Sequence, residues 1–450
     1  MRLLLDPSRV LALGFASAIL VGGLVLALPV SHQSEPVGLV DAIFTAASAV
    51  CVTGLSVVDT GTRFSGFGQA IILLLIQIGG VGITTVSTIV FLLLRQSVSL
   101  SSMEAVSGSF FRHRDVAFGA LLRRIIVWTL TIEACGAFLL FVKESQRLPL
   151  AEALWMSVFH AVSAFCNAGF GLRPDNLISD RSNATIVLPI AALIVLGGLG
   201  FSVLTEVADW LRKPAPLRRR LSLHSKTALA MTAILLVAGT LAFAVLERKN
   251  VLADSGFADV ALTSLFASVT ARTAGFSTVD YGQLTVATLY VTIALMLVGG
   301  CPGSTAGGIK ATTVAVIFAL ARAGFRGDRY PRLFSRTIPA EVTAKAMIVL
   351  ALAIFVTGVA VIVLAGLEVN EISLPQTTKW SLGLLFEVVS ALCTVGLTTG
   401  ITPELAASGK ILLILLMFIG RLGPLTVAVA ISRRKPRPPL RYAEEHLMIG

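Results

Sequence analysis

Charge is missing from this sequence over long stretches, and that restricts the possible folds more than any other feature. Windows free of Asp, Glu, Lys and Arg run over Val10–Val30, Phe64–Leu94, Ala184–Thr205, Thr227–Leu246, Thr285–Ile309 and Ala346–Leu367. Two more are interrupted once, Ile125–Val142 by Glu133 and Ile411–Ser432 by Arg421. A helix crosses hydrocarbon with roughly 20 predominantly apolar residues, so eight spans are predicted, with no segment between them long enough to fold as a soluble domain. Hydrophobic residues make up 55% of the 450 and charged residues only 14%, the composition of an integral membrane protein. The first window is too long for a signal peptide and lacks a small-x-small cleavage site followed by a polar start.

The net charge of +11 does not point to a nucleic acid, because the basic residues form short clusters between apolar stretches and not one face of a soluble domain. Those clusters set orientation. Arg95, Arg112, Arg114, Arg123 and Arg124 follow the second span, and Arg212, Lys213, Arg218, Arg219, Arg220 and Lys226 the fourth. Arg322, Arg326, Arg329, Arg332 and Arg336 follow the sixth, and Arg433, Arg434, Lys435, Arg437 and Arg441 the eighth. Lys and Arg in short loops resist translocation, so these loops and both termini are predicted cytoplasmic. Five cysteines without a CxxC pair give no disulfide framework or zinc site.

Between each odd span and the next even one lies an apolar segment of about 10–14 residues, the length of a re-entrant half-helix. Each ends in a related phrase: Ser48-Ala-Val-Cys-Val-Thr-Gly54, Ser163-Ala-Phe-Cys-Asn-Ala-Gly169, Val269-Thr-Ala-Arg-Thr-Ala-Gly275 and Ser390-Ala-Leu-Cys-Thr-Val-Gly396. The even spans repeat too, in Gly79-Gly80, Gly197-Gly198, Gly299-Gly300 and Gly420-Arg421. From phrase glycine to the second residue of the pair the separations are 26, 29, 25 and 25 residues. The chain therefore reads as four copies of span, half-helix, glycine phrase and span. The boundaries are 1–100, 101–222, 223–340 and 341–432, with 433–450 as a cytoplasmic tail. One glycine phrase alone would be read as close helix packing; four in register ask for another reason. The predicted fold is all-α, with eight transmembrane helices and four re-entrant pore helices around one pseudo-four-fold pore.

An ion crosses hydrocarbon when protein oxygens replace its water shell, and four loops around an axis supply rings of carbonyls. Aligning successive carbonyls needs a backbone conformation that glycine adopts cheaply. The candidate filter residues are Val52, Thr53, Gly54; Asn167, Ala168, Gly169; Thr273, Ala274, Gly275; and Thr394, Val395, Gly396. The last three match the start of the potassium-channel filter loop.

These phrases resemble those of the Trk/Ktr/HKT superfamily of potassium transporters, and the likeness covers essentially the whole chain. Gly299-Gly-Cys-Pro-Gly-Ser-Thr-Ala-Gly-Gly-Ile-Lys310 is similar to the family's third-repeat signature, and Phe418-Ile-Gly-Arg421-Leu-Gly-Pro424-Leu-Thr to the fourth. Within the superfamily the chain is most similar to the KtrB-type membrane subunits, with eight spans and a comparable tail, Tyr442–Gly450. The resemblance implies potassium uptake at the bacterial cytoplasmic (inner) membrane by a homodimer, with sodium as a candidate coupling ion. It also implies a cytosolic KtrA-type ring that binds ATP, ADP or NAD(H). This chain has no dinucleotide fingerprint of its own. A passive potassium channel or a sodium-permeable relative is the alternative; glycine at all four filter positions favours potassium. Five histidines without common spacing give no constellation for catalysis.

The sixth span carries five glycines and Pro302 between Gly299 and Gly308. Each interior Gly costs about 1 kcal/mol and a Pro about 3, so the helix is predicted to break there. Irregular backbone at membrane depth must face protein or water. Gly299, Gly300, Cys301, Pro302, Gly303, Ser304, Thr305, Ala306, Gly307, Gly308 and Lys310 are thus the candidate gate below the filter. Arg421 fills the slot of a glycine in the other repeats and is expected to donate to carbonyls of this loop, since an unpaired cation in the bilayer is costly. Lys310 either does the same or snorkels to the interface. Arg272, in place of the phrase cysteine, is expected behind the filter. Asp59, Asp175 and Asp280 follow their glycines by five, six and five residues, and either concentrate cations at an outer mouth or cap local turns. Glu133 and Glu206 are isolated acids for which a basic partner is one option.

Overall fold

The computed structural model describes residues 7–33, 35–93, 118–212, 220–368 and 374–423. Arg95, Arg112, Arg114, Lys213, Arg218, Arg219, Pro424 and the tail 433–450 lie outside the described residues. Within them the architecture is helical, apart from one hairpin of two-residue strands, β1 (Arg332–Leu333) and β2 (Arg336–Thr337).

Each quarter of the chain runs long helix, half-helix, long helix. The first has α1 (Pro7–Leu26), α2 (Leu39–Val50) and α3 (Gly66–Leu93); the second α4 (Phe118–Glu144), α5 (Leu150–Phe165), α6 (Ala184–Leu199) and α7 (Phe201–Arg212). The third has α8 (Leu223–Leu246), α9 (Phe257–Thr270), α10 (Val286–Leu297) and α11 (Ala311–Arg326); the fourth α12 (Ala340–Glu368), α13 (Leu374–Leu392) and α14 (Ala407–Leu422). By length and composition alone, Arg123–Glu144 of α4, α8 and α12 are uninterrupted crossings. They turn bulky apolar side chains such as Phe138, Val245 and Ile362 outward, which is what a hydrocarbon solvent permits.

The half-helices behave oppositely. At 1.5 Å per residue the 12 residues of α2 and 14 of α9 reach only about two thirds of the hydrocarbon thickness. They avoid that mismatch by being buried: Phe44 to Val50, His160 to Phe165 and Phe266 to Thr270 are enclosed continuously. Around them the packing closes on itself. Helix α3 packs on α5, α6 on α9, α10 on α13, and α14 returns to α2.

Two long elements are broken. The sixth span breaks as expected, α10 ending at Leu297 and α11 starting at Ala311 with irregular backbone between. The fourth, expected to run unbroken from Ala184 to Thr205, instead turns through 104° between α6 and α7. The turn is made at Gly200, with φ of 87°, a conformation a residue with Cβ reaches only at a cost.

Candidate functional site

The C-terminal ends of the four half-helices run straight into the four glycine phrases. A helix C-terminus carries about half an elementary negative charge, so the ends of α2, α5, α9 and α13 turn partial negative charge inward. The chain then reverses. Thr53, Ala168 and Val395 each donate their amide to the carbonyl six residues before the phrase glycine, Ser48, Ser163 and Ser390 (2.7–2.8 Å), and Ala274 donates to Thr270 (3.0 Å). The carbonyls of the same residues stand against the phrase glycine of a neighbouring loop.

The glycines take φ of 94° (Gly54), 71° (Gly169), 80° (Gly275) and 90° (Gly396). So do residues two positions earlier, at 54° (Val52), 60° (Asn167), 67° (Thr273) and 49° (Thr394). The sequence expectation confined this conformation to glycine. Three β-branched residues and an asparagine adopt it as well, at a cost on the order of 1–3 kcal/mol each.

These loops meet as a ring in chain order. A methyl group on Gly54 would lie 2.5 Å from the Ala168 carbonyl oxygen; on Gly169, 2.8 Å from that of Ala274; on Gly275, 2.8 Å from that of Val395. On Gly396 it would collide with the carbonyl of Thr53. Each glycine therefore makes room for the carbonyl of the next loop, and four carbonyls of equivalent position surround one constriction. Side-chain hydroxyls brace it: Ser48 and Ser390 accept the Gly54 and Gly396 amides (3.0 and 3.1 Å), while Ser163 and Thr270 donate to Phe170 and Phe276 carbonyls (2.8 and 2.5 Å). The glycine pairs of the even spans explain themselves too. A side chain on Gly79, Gly197 or Gly420 would strike the carbonyl of Val50, Phe165 or Leu392, the last helical residue of its own half-helix.

A cavity lies on each side of the constriction. One, of about 230 Å³, is bordered by all four phrase glycines and by Asp59, Asp175 and Asp280. Each carboxylate is committed locally: Asp59 accepts from the Thr62 amide (2.7 Å), Asp175 from that of Ser179 (2.8 Å) and Asp280 from that of Gly282 (2.9 Å). The Ser179 side-chain hydrogen bond holds the Asp175 carboxyl below its ordinary value, against the opposing effect of burial.

The second cavity, about 480 Å³, is lined by Pro302 to Ser304, Ala306 to Lys310, Thr313 and Arg421. The irregular segment of the sixth span lies across it. Gly307 fits against Thr394 Oγ1 and the Cys393 carbonyl, directly beneath the fourth phrase, with no space for a side chain. Arg421 spans two units, donating to the Thr305 carbonyl (2.5 Å) and to the Gly79 carbonyl (2.6 Å). Lys310 donates to the Ala306 carbonyl (2.7 Å) and does not snorkel. Consecutive carbonyls of the segment are thus held by two cations. Arg272 is buried behind the third phrase, within reach of Thr232 Oγ1 (3.4 Å) and the Gly299 carbonyl (3.5 Å).

Neither Glu133 nor Glu206 forms a salt bridge among the described residues, although His224 lies near Glu206. Glu133 accepts from Gln77 (2.7 Å), next to Cys166, and Glu206 from Ser222. Sequence reading missed Glu387, which is fully buried in α13 and accepts from Thr398 Oγ1 (2.6 Å), the Thr399 amide (3.1 Å) and Thr402 Oγ1 (2.6 Å). It anchors the loop leaving the fourth phrase. The local signal was a carboxylate inside an apolar half-helix, with Thr398, Thr399 and Thr402 beyond the phrase glycine.

The family of TrkH cation transport proteins matches residues 16–440. The potassium/sodium uptake protein NtpJ of Enterococcus hirae is 36% identical over 450 residues, covering 99% of this chain and 98% of that protein. The Ktr system potassium uptake protein B of Bacillus subtilis is 36% identical over 446 residues, covering 99% and 97%. The crystal structure of the potassium transporter TrkH from Vibrio parahaemolyticus superimposes with a TM-score of 0.70 over 95% of this chain and 85% of that one, at 14% identity, and so bears on the fold alone.

Proposed function

This chain belongs to the TrkH family of cation transport proteins, and from that premise we propose that it takes up potassium across the bacterial cytoplasmic membrane through its four glycine phrases. One observation carries the reading: the closed succession of glycine and carbonyl from Gly54 to Ala168, Gly169 to Ala274, Gly275 to Val395 and Gly396 to Thr53. A dehydrated cation needs several oxygens at once, and equivalent carbonyls around one axis supply them. The partial negative ends of four half-helices add to the attraction. Potassium enters from the cavity bordered by Asp59, Asp175 and Asp280, loses water at the ring, and regains it in the larger cavity.

In that larger cavity the Val298–Lys310 segment acts as the gate. It lies under the fourth phrase and is held by Arg421 and Lys310, two positive charges that oppose an arriving cation until the segment is withdrawn. Withdrawal is assigned to a cytosolic nucleotide-binding subunit of the KtrA type acting on a homodimer of this chain, with both termini on the cytoplasmic side. Sodium enters as the coupling ion. The printed name of the Enterococcus relative, a potassium/sodium uptake protein, favours keeping a sodium-permeable conduit as the second reading.

The test is potassium-limited growth and rubidium uptake in cells stripped of their own potassium uptake systems, with and without a KtrA-type subunit and with sodium present or absent. Rescue that disappears in Gly54→Ser or Gly396→Ser is expected. Sodium-independent uptake would favour the passive channel, and no rescue by correctly inserted protein with a matched subunit would overturn the potassium reading.

A further inference from the structure

The irregular segment Val298–Lys310 is fastened to the second quarter of the chain as well as to its own. The Cys301 amide donates to the Gly198 carbonyl (2.9 Å), the Thr305 amide to the Gly197 carbonyl (3.3 Å) and Thr305 Oγ1 to the Phe165 carbonyl (3.1 Å). In return, the Phe201 amide donates to the Gly303 carbonyl (3.3 Å). The 104° turn between α6 and α7 therefore sits against the middle of the segment. At Gly200 a methyl group would stand 2.8 Å from the Pro302 carbonyl oxygen.

Helix α7 touches the segment again through its side chains. Val203 is completely buried in a small cluster with Cys301, Ala311 and Ala228 of α8. One buried cluster thus joins a valine of α7 to a residue within the segment and to the first residue of the helix that follows it. Further along α7, Glu206 accepts from the Ser222 hydroxyl (2.7 Å) and from that of Ser225, at the head of α8. A 12-residue helix spans about 18 Å, long enough to carry a displacement from its far end to Gly303.

We propose that the Gly200 turn and helix α7 position the gate, so that lifting α7 off the head of α8 withdraws the Cys301–Thr305 stretch from beneath the constriction. Holding α7 down keeps the path closed. This rests on the reading of Val298–Lys310 as the obstruction. Gly200 and Val203 are positioning residues; neither lines the carbonyl ring.

The test is rubidium flux through the full-length protein in liposomes. Among the described cysteines only Cys135 is exposed, so Cys135→Ala removes the competing thiol. Glu206→Cys and Ser222→Cys, both half-buried and in hydrogen-bond contact in the native chain, are then joined by a short, reducible bifunctional thiosulfonate. Cross-linking is expected to lower flux at least roughly fivefold, with recovery on reduction. Gly200→Ala, which forces the turn away from Pro302, is expected to raise it several-fold. Deletion of Gly303–Gly308 separates this proposal from the one beneath it. If the deletion raises flux and abolishes the effect of the cross-link, both stand. If it raises flux while neither the cross-link nor Gly200→Ala changes it, the lever falls and the gate survives. If the deleted protein folds without increased flux, the gate itself is wrong.

Discussion

At the residue scale, the site depends on small groups placed to let carbonyls approach one another. The four phrase glycines were legible because one glycine recurring at a fixed place in four copies has no other economical explanation. The positive φ of Val52, Asn167, Thr273 and Thr394 was not legible: β-branched residues disfavour that conformation, and only the packing around the ring imposes it. Serine hydroxyls set the ring's shape, and the structure separates their roles. Ser390→Ala removes the acceptor of the Gly396 amide, a buried bond worth about 1 kcal/mol, and should cut potassium-over-sodium discrimination roughly fivefold. Competition of sodium with rubidium uptake measures it; unchanged discrimination would count against the ring as the selective element. Asp175→Asn should change uptake by less than about twofold, because that carboxylate serves Ser179. The sign of its pH effect follows from the same bond. Its folded value lies below the ordinary carboxylate value, so its stabilisation is present above the unfolded value and fades only as pH falls through the depressed one. Uptake should therefore show no titration attributable to Asp175 near neutrality.

Elements broken in the middle are the informative ones. The break in the sixth span announces itself through five glycines and a proline within ten residues. That at Gly200 does not, because Gly197-Gly-Leu-Gly200 reads equally well as close helix packing; the segment from the third quarter that lies against the bend belongs to a distant part of the chain. Arg421 ties these elements together. Its planar guanidinium reaches Thr305 and Gly79 carbonyls at once, a geometry an ammonium on a flexible stem does not reproduce. Arg421→Lys should therefore raise basal rubidium flux nearly as much as Arg421→Ala does. Full restoration of closure by lysine would mean that charge alone, and not the two-carbonyl bridge, holds the segment.

For the whole molecule, the helical class was open to sequence reading, since a bilayer leaves few ways to satisfy a backbone. The order in which units touch was not, because it depends on contacts hundreds of residues apart. Helix α14 packs on α2, and Lys410 bonds Asp41 at 2.9 Å, so the last quarter covers the first half-helix. A chain that is built from one end must then insert three quarters of itself while α2 still lacks its final neighbour. Stacked repeats mature progressively; a circle does not. A chain ending before residue 407 should consequently be membrane-inserted yet rapidly degraded in a pulse-chase experiment, with α2 protease-sensitive, and co-expression of the missing C-terminal piece should protect it. Until α14 emerges, this protein is an open ring whose first half-helix still lacks one of its neighbours.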